Sequence, residues 1–202
     1  MFSKRLAALA AGILTLGTAM VSLSIPAHAA EPPNAESLIQ GLVSAPDPKA
    51  AYAALTQEER DAVDAVTRVA SIKITPSAKA QVTTSRSAAA ASCWQGTAKG
   101  EGKNTLGGTI FTYWVTGKWC ASSGKVTSAT FVSGSGETST PGWSYEGRIG
   151  QGARVGSDSL LGNVWAQHKF VLTWDWVQTA YPCVSMHGSP YGYYSQGSSC
   201  SG

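Results

Sequence analysis

Residues 109–120 read TIFTYWVTGKWC, and the rest of the chain is most easily interpreted outward from this stretch. Large apolar side chains recur along it at the two-residue period of a pleated strand: Phe111, Tyr113, Val115 and Trp119. The intervening positions also carry large residues, among them Ile110 and Trp114. The pattern therefore predicts a central strand that is covered, at least in part, on both faces.

The surrounding region, residues 93–202, has the composition of an all-β domain. It holds all seven tryptophans and all four cysteines of the chain. Turn signals such as Gly107-Gly108 and Pro141-Gly142 separate short runs with strand-like alternation. With about six or seven short strands and no helical period, we expect a small, disulfide-stapled β-sandwich or barrel, preceded by a short α-helical N-terminal region.

The first 29 residues have the organisation of a secretory signal peptide. Lys4 and Arg5 precede a short apolar run, and the tripeptide AHA at 27–29 is typical of a signal peptidase site. We predict cleavage between Ala29 and Ala30. The alternative is a retained membrane helix, but the apolar run is short for a bilayer core of about 30 Å. The mature protein is therefore expected to be secreted, without a stable membrane anchor.

Residues 30–70 are predicted to form short helices. Asp47 before Pro48 is typical of a helix start, and Thr56 with Glu59 fits a capping box. Residues 71–92 mix Ser, Thr, Ala and isolated cations, which predicts a flexible linker. Proteases cut exposed linkers preferentially. The helical region is therefore either a propeptide that is removed near Arg86 or an arm that stays attached.

Four cysteines in an exported chain predict two disulfides, for which three pairings exist. Cys93 with Cys120 and Cys183 with Cys200 is the favoured pairing, because each pair brackets a local segment. Metal binding is the rival interpretation, but no pair of cysteines has C-x-x-C spacing. We therefore expect neither a metal site nor a cofactor.

The titratable residues of the β domain do not define a catalytic set. His168, with Glu146 or Asp175, is the best candidate for a small hydrolase, since two acids or a histidine–acid pair can act as acid and base. However, His168 shares an apolar face with its neighbours on the strand, which favours a hydrogen-bonded core residue. No G-x-S-x-G motif is present, and His187 beside Gly188 is interpreted as a turn residue. We therefore do not assign an active site from the sequence.

Surplus aromatic residues give the stronger indication of function. Flat rings on a β domain suit stacking against sugar rings, and exposed apolar patches mark binding sites. The candidate ligand-binding residues are Trp165, Trp174, Trp176, Tyr191, Tyr193 and Tyr194. The alternative is that a small domain with few leucines uses these rings for its core. The net charge of +3 comes without a basic run, so nucleic acid is not an expected partner.

The motifs FTYWVTGKWC, SGKVTSATFV, PGWSYEGRIG and PCVSMHG resemble small, secreted, β-rich proteins of actinobacteria. The resemblance covers residues 93–202 and implies export, two disulfides and an all-β fold, but no activity. We expect a secreted, non-enzymatic module that binds an extracellular polysaccharide or cell-wall polymer. The alternatives are a small secreted hydrolase and an inhibitor or bacteriocin-like antagonist masked by its helical region.

Overall fold

A computed structural model describes residues 34–75, 80–84, 91–174 and 178–200 of the chain. The predicted signal peptide, with its cleavage site between Ala29 and Ala30, lies outside the described residues. So do the expected processing site at Arg86 and two of the candidate site residues, Asp175 and Trp176. The described residues form three helices followed by ten strands.

The helix starts that the sequence predicts at Asp47 and Thr56 are confirmed, and a third helix begins after Asn34. The helices are α1 Ala35–Ser44, α2 Pro48–Ala54 and α3 Gln57–Thr67. The Asn34 side chain accepts the Glu36 N–H, and the Asp47 carboxylate accepts the Ala50 N–H at 2.9 Å. Thr56 and Glu59 form a complete capping box. Each cap satisfies N–H groups that have no partner inside the helix.

The strands form two antiparallel sheets, which confirms the all-β fold class. The first sheet consists of β1 Ser71–Ile74, β2 Gln81–Thr84, β3 Ser92–Lys103, β4 Thr109–Ser122 and β5 Lys125–Thr138. Its strand order is β1-β3-β4-β5, and β2 also pairs with β3. The second sheet consists of β6 Trp143–Val155, β7 Gly162–Leu172, β8 Thr179–Ala180, β9 Cys183–Gly188 and β10 Tyr194–Gly197. Its strand order is β10-β9-β7-β6, and β8 also pairs with β7.

The core lies between β4 of the first sheet and β7 of the second. Alternate residues of β4 point inward and are buried, whereas those on its outer face are half-buried, apart from the buried Ile110 near its start. The Phe111 ring stacks on that of Phe170 with centroids 4.1 Å apart. Glycines on neighbouring strands make room for these rings, since a Cβ at Gly100 would lie 2.5 Å from the Tyr113 hydroxyl oxygen. The strand predicted to be central is therefore central, with one face buried completely and the other in part.

The helical region packs against one end of the sandwich. Ile39, Leu42 and Val63 are buried in the same core cluster as the strands. The Trp143 indole N–H donates to the Thr67 carbonyl at 2.9 Å in a buried position. The Asn104 amide, from the turn between β3 and β4, donates to the Val66 carbonyl at 3.0 Å. The helices therefore belong to the core of the folded protein.

The segment predicted as a linker, residues 71–92, contains two strands. β1 pairs with one half of β3, from Gly100 to Lys103, and β2 pairs with the other half, from Cys93 to Gln95. Both strands add backbone hydrogen bonds along the free edge of β3. The polar composition of this segment does not prevent pairing, because an edge strand is held mainly by main-chain groups and needs little apolar surface.

Each disulfide joins neighbouring structure. Cys93 and Cys120 face each other directly across β3 and β4, with Cα atoms 4.0 Å apart. Cys183 is bonded to Cys200 with Cα atoms 5.5 Å apart, which ties the segment after β10 to the start of β9. This is the pairing that the spacing of the cysteines favours.

Candidate functional site

His168 lies in the centre of the sandwich. It is completely buried, and its Nδ1 is 3.0 Å from the Tyr145 hydroxyl. Burial, helped by the Arg148 charge, lowers the pKa of His168 to about 4, and a hydrogen bond with the Trp114 backbone opposes these effects only in part. The imidazole is therefore neutral at physiological pH and packs among aromatic rings, with the Tyr113 centroid 5.5 Å away.

The acids proposed as partners of His168 are not brought to it by the described structure. Glu146 is exposed, and its carboxylate accepts a hydrogen bond from the Ser144 hydroxyl at 2.8 Å. Asp175 lies outside the described residues. Within those residues, the side chain that is hydrogen-bonded to His168 is that of Tyr145.

The candidate aromatic residues have different environments. Trp174 is 2% exposed and belongs to the core. Tyr194 is half-buried; its hydroxyl donates to the Thr97 carbonyl at 3.1 Å, and its ring contacts Trp119 edge-on. Tyr191 and Tyr193, in the turn between β9 and β10, are 75% and 76% exposed. Burial therefore leaves this turn and Trp165 as the described candidates for contact with a ligand.

Trp165 lies on the outer face of the second sheet, over two glycines. A Cβ at Gly152 would lie 2.7 Å from the indole nitrogen of Trp165, and a Cβ at Gly150 would lie 3.2 Å from its Cζ3. The indole therefore spans both glycines along β6 and rests on bare backbone. The side chain is half-buried, so part of the ring still faces solvent.

Polar side chains surround Trp165 on this outer face. The register places Arg154, Asn163, His187 and Ser195 in one row across four strands. The next row contains Gly152, Trp165, Ser185 and Gly197. A cleft of about 480 Å³ lies at the Arg154 end of the first row and is lined also by Asn163 and Asp158. We call the two rows together the Trp165 face.

Three residues of the Trp165 face form a hydrogen-bonded chain. The Ser185 Oγ is 3.2 Å from His187 Nε2, and His187 Nδ1 is 2.6 Å from Asn163 Oδ1. Ser185 is 2% exposed and Asn163 is 9% exposed. Burial lowers the pKa of His187, which favours the neutral imidazole. A neutral imidazole held in this way can accept the proton of the serine hydroxyl.

The sequence analysis missed the hydrogen bonds between Ser185, His187 and Asn163 because it interpreted His187 as a turn residue. In the structure His187 lies within β9, so Ser185 and His187, two residues apart, project from the same face. That spacing was readable from the sequence. The contribution of Asn163 was not, because it depends on the register in which Asn163 faces His187 across β7 and β9.

A second tryptophan is half-buried on the opposite side of the sandwich. Trp114, on the outer face of β4, lines a groove of about 250 Å³ together with Lys99, Glu137 and three threonines. Its cross-strand neighbours are Lys99 and Ser135, so the Trp114 ring, unlike that of Trp165, does not lie over a glycine directly opposite it. Trp114 therefore serves as a natural comparison for Trp165.

The fold and these surfaces define a disulfide-bonded β-sandwich with a packed helical N-terminal region. No protein-family model matches the chain, and no match was found among curated proteins or solved structures. Among the described residues, no group of three His, Cys, Asp or Glu side chains is placed to hold a metal ion. In the same residues, none of the helices is both long and apolar enough to cross a membrane.

Proposed function

We propose that this chain is a secreted protein that binds an extracellular polysaccharide or cell-wall polymer through the Trp165 face. One observation carries the proposal: a half-buried indole lies along two glycines at the surface of a rigid sheet, with polar side chains around it. The two disulfides support an oxidising, extracellular setting. Secretion itself rests on the signal peptide predicted from the sequence.

The chemistry of the face suits a sugar ring. An indole offers a flat apolar surface for the C–H face of a pyranose and keeps its N–H as a polar handle. Asn163 supplies an amide group and Arg154 supplies a cation, and the Gln167 amide lies in the neighbouring row, on the other side of Trp165. Small-molecule sites typically combine an apolar platform with a few placed polar groups, as this face does.

The test is retention of the full secreted chain on insoluble polymers. Protein purified with both disulfides intact is mixed with bacterial cell walls, chitin, cellulose and xylan, and the bound and free fractions are measured by tryptophan fluorescence. We expect retention on at least one polymer and at least about tenfold weaker binding for Trp165→Ala, which corresponds to about 1.4 kcal/mol.

Trp114→Ala is the matched control, because it removes a half-buried tryptophan from the opposite outer face. It should bind like the wild type. Loss of binding in Trp114→Ala with normal binding in Trp165→Ala would move the site to the first sheet. The absence of retention on every polymer would overturn the proposed function.

A further inference from the structure

We propose that Ser185, His187 and Asn163 form an acyl-transfer site that hydrolyses ester groups carried by a sugar. The choice of an acylated sugar as substrate rests on the proposed function of the Trp165 face. The acyl-transfer chemistry rests only on the geometry of the three side chains.

The three side chains have the arrangement of a nucleophile, a base and an orienting group. An amide oxygen only accepts hydrogen bonds, so Asn163 Oδ1, 2.6 Å away, holds the imidazole proton on Nδ1. The lone pair of Nε2 then faces the Ser185 hydroxyl at 3.2 Å. A serine within hydrogen-bond reach of a base, which a third group orients in turn, is the signature of an activated nucleophile.

Glycine keeps the space beside the serine–histidine pair free of side chains. A Cβ at Gly197 would lie 2.9 Å from Ser185 Oγ and 3.4 Å from His187 Nε2. Position 197 therefore borders the reacting atoms, and it carries no side chain. Because Ser185 is only 2% exposed, the approach to it is narrow and a single methyl group at position 197 is enough to obstruct it.

Trp165 lies directly opposite Ser185 across β7 and β9. Directly opposed residues of an antiparallel pair have Cβ atoms about 5 Å apart. A sugar ring stacked on the indole therefore brings its substituents next to the serine. This juxtaposition selects an O-acylated polysaccharide, such as an acetylated one, as the substrate class.

The reaction proceeds in two halves. Ser185 Oγ attacks the ester carbonyl while His187 Nε2 takes the hydroxyl proton, and the tetrahedral intermediate expels the sugar oxygen, which receives that proton from His187. The products of this half are a free sugar hydroxyl and an acyl ester on Ser185. Water then attacks the acyl carbonyl with His187 as the base, which releases the carboxylic acid and restores the serine. No cofactor or oxidant is required.

The first experiment uses the full chain with intact disulfides and needs no variant. A fluorophosphonate probe is added, and the labelled residue is located by peptide mass spectrometry. We expect a covalent adduct on Ser185, as well as hydrolysis of p-nitrophenyl acetate above the buffer rate. The absence of both an adduct at Ser185 and any hydrolysis above buffer would overturn the proposal.

Variants then separate serine catalysis from the background reaction of histidine. Ser185→Ala and His187→Gln should each lower the hydrolysis rate by at least about 100-fold, which is the usual scale for loss of a nucleophile or base. Gly197→Ala, which leaves all three side chains in place, should reduce probe labelling. Trp114→Ala should keep the wild-type rate. Near-UV circular dichroism checks that each variant is folded, and hydrolysis that persists in folded Ser185→Ala would contradict the proposal.

The polymer assays distinguish the two proposals. Release of acetate from acetylated xylan that depends on both Ser185 and Trp165 would support both. Retention on a polymer without labelling or hydrolysis would overturn the catalytic site and leave binding intact. Ser185-dependent hydrolysis of p-nitrophenyl acetate without retention on any polymer would overturn the binding function and support the catalytic site.

Discussion

His168 makes the stability of the sandwich depend on pH. Burial holds its pKa at about 4 in the folded protein, below the ordinary value of 6.5. A depressed histidine pKa means that the unfolded chain binds the proton more readily. The buried His168 therefore leaves the free energy of unfolding unchanged above about pH 6.5. Below that pH it lowers the free energy of unfolding progressively as the pH falls toward 4.

We expect the free energy of unfolding to fall by about 3 kcal/mol from this residue alone between pH 7 and pH 4. His168→Gln, which cannot be protonated, should have a shallower pH dependence. Urea unfolding of both proteins across this range measures the difference. Parallel pH profiles for the two proteins would show that another group is responsible, for example His187, whose pKa is also lowered by burial.

Gly152 controls the position of the Trp165 indole. A Cβ at this position would lie 2.7 Å from the indole nitrogen, which is closer than non-bonded atoms normally approach. Gly152→Ala should therefore displace the indole from its position over Gly150 and Gly152. We expect weaker retention on the polymer with little loss of stability, because the ring is at the surface. Gly147→Ala is not a suitable control, since Gly147 has a positive φ of 100°. Ala153→Gly, on the same exposed strand, is a better one. Binding by Gly152→Ala equal to that of the wild type would show that the indole position is unimportant.

The identity of the site residues was only partly predictable at this scale. Trp165 was named as a candidate among the surplus aromatic residues, and its half-buried side chain leaves part of the ring open to solvent. Trp174 was also named as a ligand-binding candidate, yet it is buried, because the alternation of β7 continues to it: Leu172 and Trp174 are buried and Thr173 between them is exposed. His168 was interpreted correctly as a core residue from the apolar face that it shares.

At the scale of elements, the turn between β3 and β4 fastens the sandwich to α3. The Asn104 side chain accepts the N–H groups of Leu106 and Gly108 and donates to the Val66 carbonyl. We expect Asn104→Ala to lower the free energy of unfolding by about 2 kcal/mol, because it leaves three part-buried backbone groups without their partner. Thr105→Ala removes one exposed bond to the Ala65 carbonyl and should cost less than about 1 kcal/mol. Thermal denaturation compares the two, and equal costs would contradict this role for Asn104.

The disulfide between β3 and β4 constrains the unfolded chain. It closes a loop of 27 residues, for which loop entropy gives about 3.5 kcal/mol of stabilisation. Replacing Cys93 and Cys120 together by serine should lower the stability by up to this amount. Replacing Cys183 and Cys200 should cost about 3 kcal/mol, since that loop has 17 residues. Denaturant unfolding measures both losses. A much larger loss for the second pair would mean that the segment after β10 holds the second sheet together.

The elements themselves were predicted with unequal success. Capping residues and strict alternation identified the helices and the long strands, since both signals are local. β1 and β2 were assigned to a linker, because four-residue edge strands carry almost no pattern of their own. Only their pairing with β3 makes them strands, and pairing depends on distant residues.

At the scale of the whole molecule, the helices and the sandwich fold together. A chain that starts at residue 93 would lack β1 and β2 and the buried helix residues Ile39, Leu42 and Val63. The edge of β3 and the Trp143 ring would then be uncovered. We expect this fragment to aggregate or to unfold at lower temperature than residues 30–202. Size-exclusion chromatography and thermal denaturation test this, and an equally stable monomeric fragment would contradict it.

The edge pairing of β3 also changes what a proteolytic cut would achieve. Both strands paired to that edge precede Arg86, so hydrolysis there would sever the covalent link and leave the hydrogen bonds of the sheet in place. The product would be a non-covalent complex of two polypeptides, and its dissociation would be governed by a dissociation constant. Dilution of the cleaved protein below this dissociation constant would release the N-terminal piece. The fraction released after cleavage would therefore depend on the protein concentration outside the cell.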